Sequence, residues 1–456
     1  MKAIPPLCAL LTLLFTSASL VAAPTPETTH WKAGAASVKI TPEKPMLMAG
    51  YAARTTPSEG VELDLYAKAF ALVDEAGTKF GLVTLDLIGV PRGLRQAVAE
   101  RVKKELGIES PNLAINASHT HSGPELRTGK GLGADDIALR NQEATEYTTK
   151  LEDSIVSLLR AALLTVEPAH IEYGSARCGF SMNRRTPDDK GGWRNFPNPE
   201  GLVDQTVPVL KAASADGREI AVLFGYSCHC TTLGHQKFSG DYAGYAQAAL
   251  EEAHPGAVAL FVNGCSGDQN PYPRKTVELA RTHGQTLATA VEAALTTKLH
   301  RLKGSLRTAY REIPLAYDKL PTREELLEEQ KSSDKWVSSH ATRLLARMQE
   351  TEPLSPVYPY PVQVVRFGDE LTWVTLGGEV VIDYSLRLKR ELTDPLVWVS
   401  GYTNDVMAYI PSLRIWKEGG YEAGGAMVYG SHPSRWSSNA EQQIVSTVME
   451  LRESLK

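Results

Sequence analysis

The sequence predicts an α/β protein, a single large domain in which helices flank mixed sheets, and three observations carry that reading. Apolar runs rich in strand formers alternate with stretches of helical periodicity along nearly the whole 456-residue chain. No Pro-, Gly- or Ser-rich linker divides it, and no internal repeat is visible. Several apolar runs end in loops dense with polar residues, which is where α/β sheets place their ligands.

Residues 36–42 read as a short strand stopped by Pro42, and residues 70–73 and 80–86 as a hairpin around the turn-like Asp74-Glu-Ala-Gly77. Helical periodicity runs from 91 to 106 and stops at Gly107. A buried strand at 112–116, a helix at 143–164 and a strand around 170–173 follow. The middle repeats the alternation with strand 220–226, helix 242–253, strand 257–262 and helix 277–296. Residues 323–350 are charged and helical, a surface insertion or a hairpin. Strands near 361–367 and 371–376, a helix at 380–392, a short strand at 397–401 and an amphipathic helix at 440–455 complete the reading.

The N-terminus sets the expected compartment. Lys2, the apolar run from Leu7 to Leu20, small residues at Val21-Ala-Ala23 and a polar turn at Pro24 have the order of a secretory signal peptide. The run is too short to span a bilayer comfortably. We therefore expect a signal peptide at 1–23 and a mature periplasmic or secreted domain at 24–456, with no transmembrane segment. The 48 Lys and Arg against 53 Asp and Glu are mixed along the chain, without the basic cluster that phosphate backbones require, so no nucleic-acid partner is expected. Nothing in the sequence sets an oligomeric state.

Cysteines remain at Cys178, Cys228, Cys230 and Cys265. The run Cys228-His229-Cys230 invites a metal reading, but alternation along a strand would turn both thiols away from His229. Buried small residues or one disulfide is the preferred account.

Five polar loops stand out. Asn116-Ala-Ser-His119-Thr-His121-Ser-Gly-Pro124 follows an apolar strand and offers two imidazoles. Tyr226-Ser-Cys-His229-Cys-Thr-Thr-Leu-Gly234 and Asn263-Gly-Cys-Ser-Gly-Asp-Gln-Asn-Pro271 are placed likewise. Leu376-Gly-Gly-Glu379 sets a carboxylate between a strand and a helix start, and Thr403-Asn-Asp-Val-Met-Ala-Tyr409-Ile-Pro411 is followed by Gly419-Gly-Tyr421-Glu-Ala-Gly-Gly425. Singly, each has an ordinary explanation: surface histidines, connecting turns, or an acid favoured by a helix dipole at Glu379. Together they look like one assembled site.

Several segments carry a family resemblance: Ile40-Thr-Pro42 followed by Met48-Ala-Gly-Tyr51, Thr84-Leu-Asp86-Leu, Ser118-His-Thr-His-Ser-Gly-Pro124, Met182-Asn-Arg184, and Ser239-Gly-Asp241 with Gly244. In order and rough spacing they resemble the N-terminal catalytic domain of the neutral (alkaline) ceramidases. The resemblance implies one zinc ion held by His119, His229, Glu379 and Tyr409. It implies His121 beside the metal as a proton carrier, and Arg184 and Tyr421 directed at the substrate carbonyl. The family adds a smaller C-terminal β-sandwich domain, which we expect to be absent because the chain reaches Lys456 straight after its closing helix. One departure concerns substrate. Where the family carries Gly-Asp-x-Ser-Pro-Asn, this chain reads Gly267-Asp-Gln-Asn-Pro-Tyr272, so Asn270 replaces a serine. Asn270 is no nucleophile but keeps two N–H donors with which to bind substrate.

The expected function is zinc-dependent hydrolysis of an N-acyl amide, with metal-bound water as nucleophile and a small-molecule or lipid-like acyl substrate. One alternative keeps the zinc site but gives it an acylated sugar, a peptide-like amide or an ester. The other is a non-catalytic binding module, against which four intact ligand positions argue.

Overall fold

The computed structural model describes residues 1–3, 29–126, 134–350 and 353–456, so the signal-peptide reading of 1–23 falls, beyond its first three residues, outside the described residues. Along the chain come β1 (Trp31–Lys39), β2 (Tyr66–Asp74), β3 (Lys79–Leu85), α1 (Arg92–Leu106), β4 (Leu113–Ala117), α2 (Ala134–Leu164) and β5 (Glu167–Arg177). Next are β6 (Ser181–Pro187), β7 (Trp193–Asn198), β8 (Thr206–Ser214), β9 (Glu219–Tyr226), α3 (Asp241–Ala253), β10 (Val258–Asn263), β11 (Gln269–Pro271), α4 (Val277–Leu295) and β12 (His300–Leu302). Then follow β13 (Leu306–Ala316), α5 (Arg323–Glu329), α6 (Lys335–Glu350), β14 (Val357–Phe367), β15 (Leu371–Leu376) and β16 (Glu379–Val380). The last elements are α7 (Ile382–Glu391), β17 (Leu396–Ser400), β18 (Tyr409–Ile410), α8 (Leu413–Glu418) and α9 (Ala440–Ser454).

The mixed α/β expectation holds. The main sheet runs β10-β9-β8-β5-β1-β2-β3-β4, with β12 also on β5. Its two outer pairs, β10 with β9 and β3 with β4, are parallel, and the inner pairs are antiparallel. A second sheet, β13-β14-β15-β17, lies against it. Between the two sits an apolar layer that includes Trp31, Phe80, Phe367, Trp373 and Trp398. The Trp373 and Trp398 rings stack at 4.6 Å, a contact that contributes about 0.5–1.5 kcal/mol beyond the area it buries. α1 and α2 cover the β1–β4 half, α3 and α4 cover the β8–β10 half, and α7 and α9 pack on the second sheet.

The local reasons are visible in the sequence. Gly107 takes φ 68° and gives its N–H to Lys103 O, closing α1 where an L-residue would be strained. Thr276 caps α4 by accepting from Leu279 N, and Thr322 and Glu325 form a capping box on α5. Helical and strand periods placed these elements well, to within a few residues. α2 starts earlier than its apolar pattern does. The missed strands are β6, β7, β8, β11, β12, β13, β16 and β18, several of them short or polar on one side. The charged stretch at 323–350 is the helical hairpin α5–α6, and it packs on the segment around residues 428–432.

A buried polar seam joins the two sheets where their strands end. Asn116 Nδ2 donates to Gly401 O at 2.9 Å and to Thr403 Oγ1 at 3.0 Å. Asn263 N donates to Asn116 Oδ1 at 2.9 Å, and Asn263 Nδ2 to Ser118 O at 3.0 Å. Unpaired, these amides would each cost roughly 1–3 kcal/mol in so dry a place. Paired, they fix the ends of β4, β10 and β17 side by side. The polar loops therefore converge.

Candidate functional site

Each loop is held by its backbone before any side chain acts. Ser118 N and His119 N donate to Leu85 O and Leu87 O, both at 2.9 Å, carrying the chain past the end of β4. His119 adopts φ 63°, the left-handed region, which turns its ring inward. His229 N donates to Gln269 O at 3.2 Å, just beyond β9. Glu379 opens β16, whose parallel partner is β18, and its Cα partner there is Tyr409.

The side chains meet. His119 Nε2 lies 3.1 Å from Glu379 Oε2, His229 Nε2 lies 3.2 Å from the same oxygen, and Tyr409 OH lies 3.4 Å from His229 Nε2. Zinc ligands at about 2.0–2.1 Å in a tetrahedron stand about 3.3 Å apart, so these spacings suit a shared cation. The tautomers agree. His119 Nδ1 is 2.6 Å from Ile88 O and His229 Nδ1 is 2.6 Å from Ser266 O, so each ring keeps its N–H there and turns a lone pair inward. Glu379 Oε2 is then buried among acceptors and receives no hydrogen bond. Such an arrangement asks for a positive charge at its centre.

His121 completes a histidine triad whose ligating nitrogens all lie within 4.8 Å of one another. Its Nε2 is 3.2 Å from His119 Nε2, but its Nδ1 is buried without a partner. The carbonyl anchor that fixes the other two rings is missing. Instead Tyr51 packs edge-on against the His121 ring at 5.0 Å, and Arg54 donates to His121 O.

Electrostatics favour the charge states that ligation needs. Burial, aided by the Arg184 charge, pushes His229 down to about 3. Burial and the neighbouring His119 hold His121 well below the usual histidine range. Burial works to raise the Glu379 carboxyl, and it is held well below the ordinary carboxylate range only when His119 and His229 carry charge or donate to it, a role that passes to a cation once both rings turn lone pairs inward. The Tyr409 phenol is held well above its ordinary value by burial, against the pull of Arg184.

Behind this cluster lies a dry ionic network. Arg184 Nη2 donates to Tyr409 OH at 2.9 Å, and Nη1 lies 3.2 Å from His229 Nε2 and 3.3 Å from Asn270 Oδ1. Arg184 Nε donates to Glu422 Oε1 at 3.0 Å, while Glu422 Oε2 accepts from Arg185 Nη1 at 2.6 Å. One imidazole lone pair cannot serve both an arginine and a cation, and Asn270 offers Arg184 the alternative acceptor. Asn270 Nδ2 in turn donates to Asn195 Oδ1 at 3.2 Å and Tyr272 OH at 3.4 Å.

In front lies a cavity of about 680 Å³, whose lining includes His119, His121, Glu379, Tyr409 and Tyr421 together with Tyr358, Asp405, Met427, Tyr429 and His432. The structure thus gathers His119, His229, Glu379 and Tyr409 and puts His121 and Tyr421 at the cavity. Arg184 and Asn270 stay behind, facing protein. The Cys228 and Cys230 thiols are free and buried, as are Cys178 and Cys265, so the small-buried-residue account stands without a disulfide. Glu422, Tyr51 and Asp405 lie in segments that stand out in the sequence, but nothing there gives them a role. Glu422 directly follows Tyr421, yet nothing in its spacing links it to Arg184 across 238 positions.

Residues 31–282, more than half of the chain, match the family described as neutral/alkaline non-lysosomal ceramidase, N-terminal. Neutral ceramidase A of Dictyostelium discoideum is 26% identical over 251 residues, 50% of this chain and 34% of that protein. The neutral ceramidase of Pseudomonas aeruginosa is 25% identical over 241 residues, 49% of this chain and 34% of that protein. The matched stretch thus spans about a third of the length of these curated relatives. In structure, the Pseudomonas aeruginosa neutral ceramidase superposes with a TM-score of 0.72 at 21% identity, covering 94% of this chain and 75% of that one. The fold likeness reaches past the sequence match, into the part of the chain that holds the second sheet and the β16–β18 pair of Glu379 and Tyr409. The sequence match itself opens at β1, ends inside α4 and takes in the loops of His119, Arg184 and His229, so the chain belongs to the neutral/alkaline non-lysosomal ceramidase family.

Proposed function

We propose that this chain is a zinc-dependent hydrolase of N-acyl amide bonds. The observation that carries the reading is the convergence of His119 Nε2, His229 Nε2 and the donorless Glu379 Oε2 at the wall of a deep cavity. His119, His229, Glu379 and Tyr409 would hold the ion, which when bound supplies Lewis acidity and lowers the pKa of water to about 7. The relatives are neutral ceramidases by name, which supports the amide class.

The chain's own groups take the remaining roles. Tyr421 lines the cavity and its ring lies 5.3 Å from Tyr409; burial keeps its phenol protonated, so it can donate to the acyl oxygen. Arg184 does not line the cavity, and acts on that oxygen by orienting the Tyr409 phenol and by its charge. Loss of one such donor typically costs about 10²–10³ in rate. His121 is uncharged and its ring lines the cavity, so it can take a proton and pass it to the departing amine. Asn270 supports Arg184.

A second reading keeps this machinery for a different acyl substrate. Asn270, in the place of the family's serine, has all its hydrogen-bonding capacity spent on protein, so nothing at that position commits the site to an amide. Export is proposed on residues 1–23. Among the described residues no helix is long and apolar enough to cross a membrane.

The test combines metal analysis with a substrate panel of fluorescent ceramide, shorter N-acyl amides and acetylated sugars. We expect one zinc per chain, amide cleavage, and loss of both in His119→Ala. Full zinc in His119→Ala would remove the ligand assignment, and cleavage of the acetylated sugars alone would select the second reading.

A further inference from the structure

The lining of the cavity carries, besides Glu379, one acidic side chain that the proposed chemistry does not use. Asp405 is only 3% exposed, yet it lines the cavity. Its Oδ2 accepts from Tyr358 OH at 2.6 Å, and among the described residues Tyr358 is its side-chain donor, leaving Oδ1 with none. Arg92 is near enough to draw the carboxyl down, but gives its N–H groups to Pro359 O and Glu312. His432 beside it is fully engaged, with Nδ1 2.7 Å from Tyr317 OH and Nε2 3.1 Å from Met407 O.

We propose that Asp405 is a specificity-determining residue of this cavity: it accepts a hydrogen bond from a hydroxyl or protonated amine that the substrate carries away from its scissile acyl group. The inference rests on the hydrolase reading above. Burial lifts the Asp405 carboxyl to about 6, which leaves it mostly ionised at neutral pH. A buried carboxylate with a single donor is under-satisfied, and a bound donor completes it. The position is rigid: Asp405 O accepts from Gly378 N at 2.7 Å, one residue before Glu379, and Val406 N donates to Val90 O at 3.0 Å. The carboxylate is therefore built on the same turn as a proposed zinc ligand, at a fixed offset from the reacting bond. A site arranged to bond a substrate donor discriminates sharply against the analogue that lacks it, because its own polar group is then left unpaired. Tyr358 and His432, with ring centroids 5.3 Å apart, give the same lining aromatic surface on which a protonated amine would also be favoured.

Three N-acyl amides differing only in the amine portion test this: one with a hydroxyl, one with a primary amine and one with hydrogen at the same carbon. We expect kcat/KM for the wild-type protein to favour a donor-bearing substrate over the hydrogen analogue by about tenfold to a hundredfold. The better of the two names the donor. In Asp405→Asn that ratio should fall towards one, with zinc content unchanged. Equal kcat/KM for all three in the wild-type protein overturns the proposal, whether or not the variant folds. So does a ratio that survives in Asp405→Asn. If the wild-type protein cleaves none of them, the hydrolase reading fails, and calorimetric titration of the same three compounds into both proteins reads the subsite by the same ratio.

Discussion

Glu379 and Tyr409 are Cα partners in a parallel ladder only two residues long, Glu379–Val380 against Tyr409–Ile410. Glu379 N donates to Ala408 O at 2.9 Å and Val381 N to Ile410 O at 3.3 Å, so the two side chains share one rigid platform. Gly267 braces that platform from behind: its N–H reaches Val380 O at 2.9 Å, and a Cβ added there would lie 2.5 Å from Glu379 O. Backbone must move to admit it. Gly267→Ala should therefore weaken zinc binding by about 10–100-fold, the usual cost of disturbing a ligand's support. A chelator-competition titration reads this, and wild-type affinity in the variant would detach Glu379 from the metal.

A substitution at Gly50 would separate the proposed metal binding from the proposed proton transfer. It sits at φ 95°, and a Cβ there would lie 2.5–2.6 Å from His121 ring atoms. The ring is not tied by Nδ1, so it is the part that yields. Gly50→Ala should lower kcat by about 10²–10⁴, the range a positioned acid–base group supplies, while zinc content stays at the wild-type value. Loss of zinc in this variant would make His121 a ligand instead of a proton carrier.

The legible and illegible parts of this site divide along a physical line. Strand-end loops announce themselves, because glycines, histidines and carboxylates interrupt apolar runs; His119, His229 and Glu379 were all visible that way. Glu379 looked like a helix N-terminal acid, and only the β16–β18 pairing shows why it points at His119. The pairing partner is 30 residues away, and a two-residue strand has no period to detect. Glu422 and Asp405 were hidden for a related reason. Their meaning lies in partners, Arg184 and Tyr358, that tertiary folding brings from distant segments. The strands β6 and β7 were missed because the side chains that β6 buries, Ser181, Asn183, Arg184 and Arg185, are polar and those of β7 are half-buried or exposed, so burial leaves no apolar imprint on their sequence.

His254 gives stability a definite pH dependence. It follows α3 as its C-cap, with Nδ1 2.5 Å from Glu219 Oε2 and Nε2 2.7 Å from Glu292 Oε1. Burial lowers its pKa, but Glu292 and Glu219 together outweigh that, and the folded value is raised. The folded state therefore holds the proton more tightly than the unfolded chain. The stabilisation is complete below the unfolded value of about 6.5 and disappears as pH rises through the folded value. His254→Asn should lower the urea midpoint at about pH 5.5 and change it much less at about pH 9. An equal loss at both would show that the contact, and not the charge, is what counts.

Helix α6 fastens the part of the cavity lining drawn from residues 427–432. His340 Nε2 donates to His432 O at 2.8 Å, Arg347 donates to Ser431 O, and Arg343 Nη2 donates to Val428 O at 2.9 Å and Gly430 O at 2.8 Å. Arg343 Nε adds a second bond to Gly430 O at 3.2 Å, and Nη1 reaches back to Ser339 Oγ at 2.7 Å. One face of the helix thus grips carbonyls of the segment that carries Met427, Tyr429 and His432 into the cavity. None of these bonds reaches His119, His229, Glu379 or Tyr409, so their loss should act on substrate binding and not on the chemical step. Arg343→Ala should raise KM by about tenfold, a loss of roughly 1.4 kcal/mol, with kcat within a factor of about two. Arg343→Lys should recover little, because a single ammonium cannot reproduce a planar fork that spans two carbonyls. A fall in kcat at constant KM would mean instead that this part of the lining positions Tyr421 or its neighbours for the reaction itself.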